Sequence, residues 1–445
     1  MKTLPQFVIS APTSNAGKTT ISLGLMRLLE RKGLKPQPFK CGPDYIDPKF
    51  HQLSANKESI NLDLYMMPQD HLKDVYHRNL KEAGCGIVEG VMGLFDGAKK
   101  DLGSTAQLAK TLDIPVILVV DAKAVAYSVA PLLYGFKNFD PKVTIAGVIF
   151  NRVNTQSHFT FLKEACEDVG LEALGYVPFI EDVQIPSRHL GLSIENIHSY
   201  ERVMDLIADK MEETVDWEKL LEISKKEVLP FNSDKTISTD NVKIAVALDD
   251  SFNFIYKENI NALRSLGDVQ FFSPIYEEQV PEADLLYFPG GYPECNLDRL
   301  AGNISFLNSL KDYAERGGRI FAECGGLMYL GQSIIDKEGK EYAMAGIFDF
   351  KTSMAQSKLH LGYREIHLNG KNLKAHEFHY STMENDHDTD SIGYMKNARG
   401  MEVNTKLYRK ANCVATYAHI YFADQVSLEA MLELFGLSAC DTRII

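Results

Sequence analysis

The chain has 445 residues, enough for two large domains or three small ones, and its 45% hydrophobic and 24% charged content excludes a disordered or fibrous chain. Its 47 basic and 60 acidic residues leave a net charge of −13, which argues against general nucleic-acid affinity but not against a small anion held by a few local cations. No apolar run approaches the ~20 residues of a membrane span. The first residues lead straight into a short strand pattern rather than a signal peptide, and the seven scattered cysteines form no CxxC pair. The expectation is a protein of the reducing cytoplasm with no nucleic-acid or membrane partner.

In chain order, near-continuous apolar runs predict strands over 6–11, 86–89, 115–121 and 144–151. Such runs suit a parallel sheet covered on both faces. Helical spacing lies between them, as in Ile21, Leu25, Leu28 and Leu29. This βαβ rhythm predicts a doubly wound α/β domain over 1–224, closing with one polar-faced helix over 201–221. The polar, strand-poor stretch 225–241 reads as a linker. A second α/β domain follows over 242–445, with strands predicted at 242–248, 285–288, 319–322, 376–380 and 413–418.

Directly after the first strand stands Pro12-Thr13-Ser14-Asn15-Ala16-Gly17-Lys18-Thr19, followed by Thr20. It matches G-x-x-x-x-G-K-[ST] except that Pro12 replaces the first glycine. A loop of this kind turns backbone N–H groups and a helix N-terminus toward phosphates. Lys18 would add a point charge there, and Thr19 would offer a hydroxyl to Mg²⁺. Acids follow near strand ends. Glu89 closes an apolar strand and is a candidate for the metal, since Mg²⁺ takes carboxylate oxygen and water. Asp44, Asp47 and Asp96 sit among glycine and proline, which fits loops over the carboxyl edge where α/β sheets bind ligands. Ordinary turn chemistry is the alternative for each. Asn151 ends another strand and could either read an adenine edge or close a turn.

The second half carries a different signal. Gly290 and Gly291 end one strand, and Glu323-Cys324-Gly325-Gly326 ends the next. A cysteine at a strand-to-helix turn can be a nucleophile, and a helix N-terminus favours its thiolate. The glycine pair could present N–H groups to an oxyanion. His419, expected at the end of the strand over 413–418, supplies a base. His376 and His379 fall one residue short of a helical zinc motif and read as strand, so a structural or substrate-contact role is expected rather than metal binding.

With these residues in place, the chain resembles the cobyrinic acid a,c-diamide synthases, glutamine-dependent amidases of corrin synthesis. The resemblance spans nearly the whole chain and rests on 14–20, 39–47, 89–97, 288–294, 321–330, 362–365, 376–381 and 416–422. It implies an N-terminal P-loop synthetase domain like dethiobiotin synthetase and a C-terminal domain like class I glutamine amidotransferases. It implies that Cys324 attacks glutamine, that His419 raises its nucleophilicity, and that Gly290 and Gly291 form the oxyanion loop. Residues 14–20, with Asn151, would bind ATP. Thr19 and Glu89 would hold Mg²⁺, and Asp44, Asp47 and Asp96 match acidic positions of the synthetase site. ATP, glutamine or ammonia, and cobyrinic acid are the implied substrates, with no tightly bound organic cofactor. Many class I glutaminases carry an acid two residues after the histidine. Tyr421 stands there, as in this branch of the class, which implies a Cys–His dyad and leaves open what orients His419. Ni-sirohydrochlorin and hydrogenobyrinic acid are alternative substrates. A P-loop partitioning ATPase would leave Cys324 and His419 unexplained. A homodimer is compatible with the sequence.

Overall fold

The computed structural model describes residues 2–180, 200–231, 242–384 and 390–437. The chain divides into two compact units, Met1–Ser233 and Asp234–Ile445.

The first unit is built on β1 (Thr3–Ser10), β2 (Pro36–Cys41), β3 (Ile60–Leu62), β4 (Cys85–Glu89), β5 (Val116–Asp121), β6 (Ile145–Asn151) and β7 (Glu172–Val177). Their order is β3-β2-β4-β1-β5-β6-β7, and every pair along it is parallel. Helices α1 (Lys18–Arg31), α2 (Asp47–Ala55), α3 (Gln69–Asn79), α4 (Thr105–Leu112), α5 (Ala130–Phe139) and α6 (Gln156–Val169) make the crossovers. The strands are buried almost throughout, as their continuous apolar runs require. Phe7, Ile9, Ile117 and Val119 meet Ile21, Leu25, Leu28 and Leu29 of α1 in one core.

Two expectations change. The stretch 201–221 is two helices, α7 (Glu201–Thr214) and α8 (Trp217–Ile223). The β-branched Val215 between them is extended and bridges Gly175, and the Asp216 carboxylate accepts from Lys219 N to cap α8. The stretch expected as a linker begins as a strand: β8 (Lys225–Glu227) pairs antiparallel with Thr3, Leu4 and Pro5 of β1. Residues 232–241 of that stretch lie outside the described residues.

The second unit carries β9 (Val242–Ala247), β10 (Gly267–Phe272), β11 (Leu285–Phe288) and β12 (Arg319–Glu323). Beyond them come β13 (His360–Leu368), β14 (Lys371–His379), β15 (Tyr394–Asn397), β16 (Glu402–Val403), β17 (Leu407–Lys410), β18 (Cys413–Thr416) and β19 (Ala418–Tyr421). One sheet runs β10-β9-β11-β12-β18-β17, parallel except for its last pair. An antiparallel sheet runs β16-β15-β13-β14-β19. The apolar run expected as a single strand over 413–418 therefore breaks at Tyr417. Its first part joins the parallel sheet and its second part, with His419, joins the other.

Candidate active sites

All strands of the first sheet except β8 point the same way, so the chain segments after β1, β2, β4 and β6 share one edge. The loop after β1 turns through two left-handed residues, Asn15 at φ 63° and Gly17 at φ 99°. Ser14 and Asn15 are exposed, Ala16 is buried, and Lys18, Thr19 and Thr20 open α1. A Cβ on Gly17 would stand 2.0 Å from Asn151 Nδ2, so glycine is needed for space as well as for φ. The Asn151 amide donates to the Ala16 carbonyl at 3.0 Å, and its oxygen accepts from Arg152 N. Asn151 thus braces the loop after β1 from β6.

Glu89 ends β4 completely buried. Its Oε1 accepts from the Thr19 hydroxyl at 2.7 Å and from Lys40 Nζ at 3.0 Å. Its Oε2 lies 2.7 Å from His51 Nε2, and His51 Nδ1 lies 3.0 Å from the Ser59 hydroxyl. Lys40 also pairs with Asp47. Burial works to raise the Glu89 pKa, but the Lys40 charge, His51 and the Thr19 hydroxyl outweigh it and hold the carboxyl ionised, well below its ordinary value. Lys18 Nζ reaches Met92 O at 2.5 Å.

The structure gathers Lys18, Thr19, Glu89 and Asp47 around the loop. The other two acids are engaged locally. Asp44 Oδ1 accepts from the backbone of Ile46 and Asp47 at the start of α2, and Asp96 Oδ2 accepts from Gly93 N at 3.0 Å. Lys40 and His51 were not singled out from the sequence. Lys40 lies in Pro36-Gln37-Pro38-Phe39-Lys40-Cys41, where two prolines disguise a fully buried strand.

In the second unit Cys324 follows β12 at φ 47°, ψ −105°, immediately before the short helix Gly325–Leu330. A non-glycine residue with positive φ stores backbone strain. Its N–H donates to Thr416 O at 2.7 Å, which fixes the turn against β18. Gly290 locates the partners. A Cβ there would stand 2.2 Å from His419 Cε1 and 3.2 Å from Cys324 Cβ, so cysteine, histidine and glycine loop converge although the first two leave different sheets. The Gly290 carbonyl accepts from Asn253 N and Phe254 N at 3.0 and 2.9 Å. In a trans peptide the following N–H points the opposite way. That N–H, on Gly291, lies 3.0 Å from the place of a Cβ on Gly325, the residue after the cysteine.

The thiolate expectation is corrected. Burial pushes the Cys324 thiol far up, with the nearby carboxyl groups of Glu294, Glu377 and Glu323 adding to this. A six-residue helix does not offset that desolvation. Burial lowers His419 to about 3, with His376 and His379 adding to the fall. Both shifts favour a thiol and a neutral imidazole at rest.

The strand bearing His419 is clamped by two buried polar residues that the sequence reading missed. Glu323 Oε1 accepts from Ile420 N at 2.8 Å, and its Oε2 accepts from Tyr287 Oη at 2.7 Å. Asn259 donates to Ile420 O at 2.8 Å and accepts from Phe422 N at 3.0 Å. The residue before the cysteine thus holds the residue after the histidine. Burial raises Glu323 to about 8 against the lowering effect of its two hydrogen bonds. Tyr421 is fully buried, 5.9 Å from the Tyr256 ring. His376 pairs in register with His419. Glu377 accepts from Arg364 Nε, Thr405 Oγ1 and lies 2.7 Å from His379 Nε2. His360, Glu377 and His379 cluster closely enough to hold an ion, but Glu377 already serves Arg364, and His379 Nδ1 faces Ser381 O.

Two family models match the chain. Residues 7–192 match the CobQ/CobB/MinD/ParA nucleotide binding domain, and 243–426 match the CobB/CobQ-like glutamine amidotransferase domain. The chain is 39% identical to a cobyrinate a,c-diamide synthase of Caldanaerobacter subterraneus, covering 93% of this chain and 94% of that protein. It is 41% identical to one of Listeria monocytogenes, covering 97% and 99%. This chain belongs to the a,c-diamide synthase family. A hydrogenobyrinate a,c-diamide synthase of Brucella anthropi is 39% identical over 93% of this chain and 98% of that protein. This chain matches both a nucleotide-binding and a glutamine amidotransferase domain, in that order. Among the described residues no helix is long and apolar enough to cross a membrane.

Proposed function

We propose that this chain converts the a and c side-chain carboxylates of cobyrinic acid to amides, using ATP and glutamine. The observation that carries the reading is the convergence of Cys324, His419 and Gly290 in one unit of a chain whose other unit sets Lys18 and Thr19 at the head of α1, with Glu89 accepting from the Thr19 hydroxyl. In the glutaminase unit the Cys324 sulfur attacks the glutamine amide carbon while its proton passes to His419. The Gly291 N–H, aimed by the anchored Gly290 carbonyl, meets the oxyanion. His419 then returns the proton to the leaving nitrogen, ammonia departs, and water releases glutamate from the thioester. The neutral resting pair suits this sequence, because charge develops only once substrate is present.

In the synthetase unit the substrate carboxylate takes the γ-phosphoryl group of ATP, and ammonia displaces phosphate from the acyl phosphate. Lys18 steadies the transferring group. Thr19 and Glu89 form an oxygen donor set of the kind Mg²⁺ prefers, so they would hold it. Bound there, the ion would neutralise phosphate charge. Asp44, Asp47 and Asp96 line the same edge. Two chemistries are required because a carboxylate is a poor electrophile and free ammonia is mostly protonated at pH 7. The Brucella relative makes hydrogenobyrinic acid a second candidate. The test is a panel of cobyrinic acid, hydrogenobyrinic acid and Ni-sirohydrochlorin with ATP and glutamine, read by product mass. The reading predicts a diamide from cobyrinic acid, and no amidated product from any of the three would contradict it.

A further inference from the structure

The nucleotide-binding unit leaves one helix nearly bare. Among the residues of α5 only Leu133 is fully buried, while Leu132 and Phe139 are 39% and 74% exposed. A globular helix normally turns its apolar stripe into the core. Leu132, Phe136 and Phe139 recur at i, i+4 and i+7 and form such a stripe, yet it faces outward. Phe95 extends it, its ring centroid 5.8 Å from that of Phe136 and 4.8 Å from that of Phe139. Gly135 lies on the same stripe, and a Cβ there would meet nothing within 4 Å, so the surface stays flat at that point.

This patch is continuous with the phosphate site through one loop. The loop after β4 holds Lys18 by the Met92 carbonyl, carries Phe95, and carries Asp96 beside it. It then doubles back, Ala98 N donating to Leu102 O at 2.8 Å, and exposes Lys99 and Lys100. Lys99 and Lys100, flanked by Asp96 and Asp101, stand exposed on the loop that carries the half-buried Phe95 and can offer cations to an anion with an apolar face.

We propose that this platform seats the tetrapyrrole: Phe95, Leu132, Phe136 and Phe139 meet the face of the macrocycle, and Lys99 and Lys100 meet rim carboxylates other than the one being amidated. The inference rests on the reading of the chain as an amidase of a tetrapyrrole polycarboxylate. The chemistry fits, because such a substrate is flat and apolar in its middle and anionic around its edge. A platform joined to Asp96 and Lys18 by one loop keeps the macrocycle beside the phosphate site.

The test is absorbance titration of the full chain with cobyrinic acid, alongside nucleotide affinity and light scattering. Leu132→Ala with Phe139→Ala, both at exposed positions, should weaken cobyrinic acid binding about tenfold or more, and Lys99→Glu with Lys100→Glu about as much. The loss from the lysine pair should shrink as salt rises, since exposed charges are screened. Nucleotide affinity should hold in both variants, showing that the fold is intact. Unchanged cobyrinic acid affinity in both would overturn the proposal. So would a shift from dimer to monomer in the apolar variant with affinity intact, which would show that a second copy covers the stripe. If the unmodified chain bound none of the three tetrapyrroles, the functional reading itself would fail, a result distinct from either.

Discussion

In the first unit Glu89 is completely buried and still ionised, because Lys40, His51 and Thr19 surround it with charge and donors. In the second unit Cys324 and His419 are as deeply placed, and both are held neutral, because burial dominates their surroundings. The difference follows the tasks proposed for the two sites. Phosphoryl transfer from a polyanion needs fixed charge before the substrate arrives. Amide hydrolysis at a cysteine can start from a thiol that passes its proton to a neutral imidazole as the electrophile arrives. The same kind of α/β edge serves both, and the polar side chains packed behind it decide which.

The largest effect is expected at Lys18. Lys18→Ala should lower amidation by about 10³-fold or more with glutamine and with ammonium alike, because the charge on the transferring phosphoryl group is lost in both reactions. Product mass and ADP release measure it, and preserved ammonium-driven turnover would separate Lys18 from phosphoryl transfer.

Gly290→Ala should act on the other site alone. Its new methyl would overlap His419, and a displacement of about 1 Å at a reacting group costs roughly 10²-fold. Glutamine-driven activity should fall by that order while ammonium-driven activity persists.

Glu323 sharpens the contrast through pH. Its folded pKa is raised from 4.5 to about 8, so over that window the folded chain keeps a proton that the unfolded chain gives up. Stability therefore falls as pH rises through the window, at up to about 1.4 kcal/mol per pH unit for one proton. Glu323→Gln keeps an acceptor for Ile420 N and cannot ionise, so its melting temperature should fall less between pH 5 and 8 than that of the unmodified chain. Parallel melting curves across that range would remove Glu323 from the account. The smallest effect is expected at Tyr421. It occupies the place of an acid without being one, and Tyr421→Phe should keep glutaminase activity within about tenfold.

Much of this was legible in the residues. The apolar strands of the first unit, the GKT turn and the Glu-Cys-Gly-Gly turn announce themselves through local pattern. What was not legible depends on tertiary pairing. Pro36 and Pro38 hide β2 and with it Lys40. The run through Tyr417 reads as one strand because periodicity cannot show a chain changing sheets. The thiolate expectation failed because a helix terminus is visible in sequence and the desolvation around it is not. Glu323 and Asn259 matter through contacts with a strand about a hundred or more residues away.

Two sites of opposite electrostatic character are proposed to share one reaction through ammonia. The decisive variant is Cys324→Ala, assayed for product mass and ADP release with glutamine and, separately, with high ammonium at alkaline pH. Glutamine-dependent amidation should disappear while ammonium-dependent amidation continues at a rate close to that of the unmodified chain. Loss of both activities in a folded variant, or survival of the glutamine-dependent one, would contradict the account.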